Sequence, residues 1–103
     1  MSEHVIVIGS GFGGLASALR ARKMGFDVTV IERLDQLGGR AQTFERDGFV
    51  FDAGPTVITA PFLFEELFEL FDRKIEDYVE ILPVTPWYRY EFNDGTYLNY
   101  GGS

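Results

Sequence analysis

A chain of 103 residues, 46% hydrophobic and 24% charged, has the make-up of a single globular domain. Its net charge of −7 speaks against a nucleic-acid surface, which needs a basic field. The absence of cysteine removes disulfides, thiolate catalysis and cysteine–zinc sites.

Residues 5–8, Val5-Ile6-Val7-Ile8, are β-branched and apolar on both faces, which predicts a short parallel strand covered on both sides. The run is too short for a signal peptide or a membrane span, and no basic segment precedes it, so the expected compartment is the cytoplasm. Four glycines follow within six positions. From Gly11 the pattern turns helical, with Leu15, Ala18 and Leu19 on one face. Arg20, Arg22 and Lys23 suit the negative end of that helix, and Gly25 stops it. Residues 28–31 form a second β-branched strand closed by Glu32, completing a β-α-β unit of right-handed, parallel type.

Residues 33–39 read as a loop ending in Gly38-Gly39. Strands at 41–45 and 49–52 flank the turn signal Arg46-Asp47-Gly48, and Ala53-Gly54-Pro55-Thr56 breaks the pattern. Residues 61–74 read as an amphipathic helix with Phe64, Leu67, Phe68 and Phe71 on its inner face. Strands at 87–92 and 96–100 flank a second hairpin turn, Asn93-Asp94-Gly95. The terminal Gly101-Gly102-Ser103 reads as a native turn or a linker.

Three stretches carry chemistry. Gly9, Gly11 and Gly14 form G-x-G-x-x-G across Gly9-Ser10-Gly11-Phe12-Gly13-Gly14. The first glycine permits a tight turn, the second lets a pyrophosphate approach the backbone, and the third lets helix and strand pack closely. Alone the string is a weak signal, and a glycine-rich turn with a surface Glu would account for it. Here a strand precedes it, a helix and a second strand follow, and Glu32 lies 23 positions past Gly9. A carboxylate there accepts hydrogen bonds from both hydroxyls of an adenosine ribose, which suits NAD or FAD. It disfavours the 2′-phosphate of NADP, although Arg33 offsets part of that repulsion.

In the second stretch, Gly38-Gly39-Arg40, bare backbone can lie against a cofactor while Arg40 binds phosphate; the alternative is a plain loop with a solvated Arg. In the third, Gly54-Pro55-Thr56, small residues form a shelf for a flat ring; the alternative is a connection with Thr56 as a local cap. Glu65-Glu66 and Glu76-Asp77 read as solvated faces, and His4 has no partners for a triad or a metal site. The aromatic residues after position 60 are core or line a greasy path.

The segment from Val5 to Phe44 resembles the N-terminal cofactor region of FAD-dependent oxidoreductases of the amine oxidase and carotenoid desaturase superfamily, which pairs the glycine motif with a strand-end Glu and a G-G-R tail. "FDAGPTVITAPFLFEELFEL" and "YVEILPVTPWYRYEFNDGTYLNY" are similar to bacterial-type phytoene desaturases. The resemblance implies FAD contacts at Gly9, Ser10, Gly11, Phe12, Gly13 and Gly14 for pyrophosphate and Glu32 for ribose. They continue through Arg33, Gly38, Gly39 and Arg40, with Gly54, Pro55 and Thr56 near the flavin. It also implies hydride transfer to FAD from a hydrophobic polyene of phytoene type, and peripheral contact with the inner face of the cell membrane.

The expected fold is α/β: an incomplete Rossmann-type FAD-binding βαβ unit with parallel strands, followed by β-hairpins and an amphipathic helix. Residues 1–56 are expected to form the FAD-binding βαβ and hairpin segment, and 57–103 the start of the substrate side. Members of the resembled family are several times longer, and a dinucleotide fold needs more than two parallel strands. The chain is therefore expected to be an N-terminal fragment, inactive alone, binding FAD weakly and prone to self-association through open sheet edges. Carotenoid isomerase, amine oxidase or a non-catalytic association module remain the alternatives.

Overall fold

A computed structural model describes residues 3–102 of the chain; the final residue of the Gly101-Gly102-Ser103 turn or linker lies outside them. Strand β1 (His4–Ile8) leads into helix α1 (Phe12–Lys23), which returns to strand β2 (Asp27–Ile31). β1 and β2 pair in parallel, from His4 opposite Asp27 to Ile8 opposite Ile31. α1 ends where expected. Gly25, at φ 101°, donates to the Arg22 carbonyl, and the Phe26 amide reaches the Ala21 carbonyl, closing the last turn with a left-handed residue.

α1 lies on the face of the sheet that carries Val5, Val7 and Val28, with Ala18 buried between them. The opposite face is open: Ile8 is 85% and Ile6 58% exposed. The expectation that both faces of residues 5–8 are covered therefore holds for one face only. Two strands and one helix build one complete layer, and the next helix packs on α1 instead of on the bare face of the sheet.

After β2 the chain turns through a short 3-10 segment, Gly39–Ala41, into the antiparallel hairpin β3 (Thr43–Arg46) and β4 (Phe49–Asp52). The hairpin opens at residue 43 and not at 41, because the glycine doublet winds the chain through Ala41 first. Asp47 at φ 53° and Gly48 at φ 80° make its turn.

Helix α2 (Pro61–Glu69) starts with Pro at its first position, where no amide is needed. Phe64, Leu67 and Phe68 are half-buried on α2 and Phe71 just after it, as the spacing predicts, together with Pro61, Glu65 and Leu70. Phe12 and Phe64 meet edge to face at 5.2 Å, and Arg20 pairs with Glu66 at 3.0 Å, docking α2 on α1. α2 is shorter than the expected 61–74. Asp72 takes φ 55°, and the Arg73 amide bonds the Phe68 carbonyl at 3.1 Å. This closes the helix with the same left-handed device that Gly25 provides, using an Asp, which tolerates that region better than most side chains. The chain then folds back through Ile75–Asp77, where Ile75 is buried and Tyr78 packs on Phe68.

A second antiparallel hairpin, β5 (Tyr88–Glu91) and β6 (Tyr97–Tyr100), completes the order of elements. Its strands are a residue or two shorter than expected, and the Asp94 carboxylate accepts from the Thr96 amide at 2.9 Å to set the turn. One face carries Tyr88, Tyr90, Leu98 and Tyr100; the other carries Arg89 stacked on Tyr97 at 4.5 Å. Among the described residues the three sheets have two strands each and remain separate. The radius of gyration is 18.4 Å, against ~13 Å for a compact domain of this length. Ala18 and Ile75 are the buried hydrophobic residues among those described.

Candidate functional site

The site is built at the C-terminal end of β1, where the chain leaves a strand and enters a helix. Gly9 turns the chain at φ 98°, and its amide donates to the Ile31 carbonyl at 2.8 Å. Gly14 is the point of closest packing. A Cβ there would overlap the Gly9 carbonyl oxygen and come within 3.0 Å of the Gly9 carbonyl carbon and 3.6 Å of Val7 Cγ1. Only a bare residue lets α1 start this close to the strand. The first intrahelical bond runs from the Leu15 amide to the Gly11 carbonyl at 2.9 Å. The amides of Gly11, Phe12, Gly13 and Gly14 precede it and have no acceptor within the helix, so the positive end of α1 can hold an anion.

The G-G-R loop folds back onto this turn. The Gly38 amide donates to the Ser10 carbonyl at 2.9 Å, and Gly39 lies against the Cα of Gly11. The third stretch closes on the second: a Cβ on Gly54 would overlap the carbonyl oxygen of Arg40. Three stretches separate in sequence thus meet backbone to backbone. They border a half-open cleft of about 730 Å³ lined by Gly11, Phe12, Gly13, Gly38, Gly39, Arg40, Ala41, Gln42, Ala53, Gly54 and Pro55. That volume lies in the range of small-molecule sites.

Not every expected residue lines the cleft. Gly9, Ser10 and Gly14 are outside its lining, and Glu32 and Arg33 sit beyond it at the end of β2. Thr56 is exposed and outside the lining. Ala41, Gln42 and Ala53 do line it. Ala53 was visible in the sequence as one of the small residues beside Gly54. Ala41 and Gln42 were assigned to a strand, and no local signal distinguished them. Gln42 also fastens the loop, since its side-chain amide donates to the Gln36 carbonyl at 3.0 Å.

Glu32 is held by three donors. The Ser10 amide reaches Oε2 at 2.9 Å, the Ser10 hydroxyl donates to the same oxygen, and the Leu34 amide reaches Oε1 at 3.0 Å. These bonds, the Leu34 amide first and then the Ser10 hydroxyl and amide, with a smaller contribution from the Arg33 backbone, hold its carboxyl at about 2, well below its ordinary 4.5. Glu32 is therefore an anion and a pure acceptor at neutral pH. It can receive hydroxyls and repels phosphate, whereas the end of α1 attracts phosphate. This pairing of a glycine-lined anion site with a strand-end carboxylate fits the ADP half of a dinucleotide.

Comparison with known proteins agrees. The family described as "NAD(P)-binding Rossmann-like domain" matches residues 7–73. "Phytoene desaturase (lycopene-forming)" of Pantoea ananas is 53% identical over 94 residues, which is 91% of this chain and 19% of that protein. The protein of the same name from Pseudescherichia vulneris is 50% identical over 98 residues, 95% of this chain and 20% of that one. "4,4'-diaponeurosporene oxygenase" of Staphylococcus aureus (strain USA300) is 40% identical over 99 residues, 96% of this chain and 20% of that protein. The chain spans about a fifth of the length of these relatives. With a parallel β1–α1–β2 unit, a glycine turn packed against it and a match across most of its length, this chain belongs to the NAD(P)-binding Rossmann-like domain family.

Proposed function

We propose that the chain supplies the ADP-binding part of an FAD-dependent oxidoreductase acting on a long polyene of phytoene type. The observation that carries this reading is the cleft formed where the three glycine-bearing stretches meet. In it the amides at the start of α1 bind the pyrophosphate, and beyond it, at the end of β2, Glu32 receives ribose hydroxyl. Arg40 adds charge at the rim, and the Ala53–Gly54–Pro55 shelf lies on the far side, where the flavin end would extend. Gly9 and Gly14 set the strand-to-helix turn, Ser10 holds Glu32, Arg33 follows Glu32, and Thr56 follows the shelf. The chemistry FAD supplies when bound is two-electron oxidation, with a substrate hydride accepted on the flavin. The relatives' names support the substrate class, since phytoene and diaponeurosporene are both long unsaturated hydrocarbons. On this reading the protein works in the cytoplasm, at the inner face of the cell membrane, where a hydrocarbon substrate would dissolve. The unpaired edges of β1 and β2 favour self-association of the chain when it stands alone.

NMR titration of the ¹⁵N-labelled chain tests this, because chemical shifts register weak binding. FAD is expected to move the amides of Gly11 to Gly14 together with those of Gly39, Arg40 and Gly54. NAD is expected to move the first group and leave Gly54 in place. Identical footprints for the two would overturn the choice of FAD, and no shift at Gly11 to Gly14 would overturn the site.

A further inference from the structure

An ionised carboxylate offers about four acceptor positions, two on each oxygen. At Glu32 three are taken by the chain itself. Oε2 receives both donors of Ser10, its amide and its hydroxyl, and Oε1 receives the Leu34 amide. The two sides differ in access. Ser10 is 0% exposed, so its bonds to the half-buried Glu32 approach Oε2 from the protein side, whereas Leu34 beside Oε1 is 46% exposed. We propose that Ser10 is a positioning residue that fills Glu32 Oε2, leaving one acceptor position, on Oε1, for a single ribose hydroxyl of the adenosine. The proposal rests on the dinucleotide reading above and narrows it, since the sequence suggested that the carboxylate receives both hydroxyls. Ser10 sets the rotamer of Glu32 from beneath, and the ligand completes the fourth position from solvent.

The test uses ADP, 2′-deoxy-ADP and 3′-deoxy-ADP as probes, titrated into the whole chain and followed at the Gly11 to Gly14 amides. One deoxy analogue is expected to bind within about twofold of ADP and the other about tenfold more weakly, the effect of one hydrogen bond to a charged acceptor. Equal losses for both analogues, or a loss for neither, would overturn the proposal while leaving the ADP site standing. Failure of ADP itself to shift those amides would overturn the dinucleotide reading and this proposal with it, a result distinct from the first.

Ser10→Ala provides a second readout. It frees a position on Oε2, so both deoxy analogues should then bind more weakly than ADP. A merely structural defect would weaken all three probes alike and would count against a positioning role. The carboxyl ¹³C resonance of Glu32 should also titrate at higher pH in Ser10→Ala than in the unmodified chain. An unchanged titration would show that the Ser10 hydroxyl does not hold the carboxylate and would likewise overturn the proposal.

Discussion

Gly13→Ala and Gly14→Ala make the same chemical change one residue apart, and the structure predicts opposite outcomes. At Gly13 an added Cβ meets nothing within 4 Å. Alanine there should gain most of the ~0.8–1 kcal/mol that separates it from glycine in a helix. At Gly14 the same Cβ overlaps the Gly9 carbonyl oxygen. That carbonyl shares a peptide plane with the Ser10 amide, which is bonded to Glu32 at 2.9 Å, and the preceding amide is bonded to Ile31 at 2.8 Å. The oxygen therefore cannot swing aside without breaking these bonds, and α1 must move outward instead. Overpacking of this kind costs ~1–3 kcal/mol. The helix-propensity gain is common to both variants and cancels between them, so they should differ by the overpacking cost alone. Hydrogen exchange at the Leu15 amide, the donor of the first helical bond, reads that difference locally. Exchange in Gly14→Ala should be roughly 5- to 150-fold faster than in Gly13→Ala. Equal rates, or faster exchange in Gly13→Ala, would refute the argument that Gly14 marks the point of closest approach.

Gly54→Ala should push the Ala53–Pro55 shelf off the Arg40 carbonyl and widen the cleft; binding of FAD in an NMR or fluorescence titration should weaken by about tenfold or more. Glu32 gives a pH prediction. Its folded value of about 2 lies below the ordinary 4.5, so its contribution to stability is fully present above pH 4.5 and is lost as pH falls toward 2. Urea midpoints of the unmodified chain and of Glu32→Gln should therefore converge across that interval and stay parallel above it. A double-mutant cycle on Phe12 and Phe64 should give a coupling of ~0.5–1.5 kcal/mol beyond simple burial, from the edge-to-face contact that docks α2 on α1.

The parts of this fold that could be read from the sequence are those fixed by neighbours in the chain. The β-branched runs gave β1 and β2, Gly25 marked the end of α1, and the Phe64, Leu67, Phe68, Phe71 spacing gave the inner face of α2. The glycine motif was legible because each glycine answers a local demand, and Gly14 meets that demand in the structure. What stayed hidden depends on distant backbone. No local pattern places the Gly38 amide on the Ser10 carbonyl, or Gly54 on the carbonyl of Arg40, so the cleft was invisible although most of its wall was named. The end of α2 was hidden for another reason. Asp72 adopts a left-handed conformation that composition does not announce, and burial of Ile75 then turns the chain back. The two donors of Ser10 on a single carboxylate oxygen were equally beyond reach, since Ser10 was counted among the phosphate contacts.

The contacts between backbone and backbone that close the cleft bear on how this site tolerates change. Its walls meet through atoms that every residue possesses, at places where any side chain would intrude. Randomising Gly13 or Arg40 alters what the cleft offers a ligand without forcing its walls apart. Randomising Gly14 or Gly54 separates the walls whichever residue replaces them. A saturation map of the cleft should therefore show sharp intolerance at positions 14 and 54, joined by the left-handed glycines Gly9, Gly38 and Gly39, beside permissive positions such as 13 and 40. Selection could retune ligand preference along that lining while the frame behind it stays fixed.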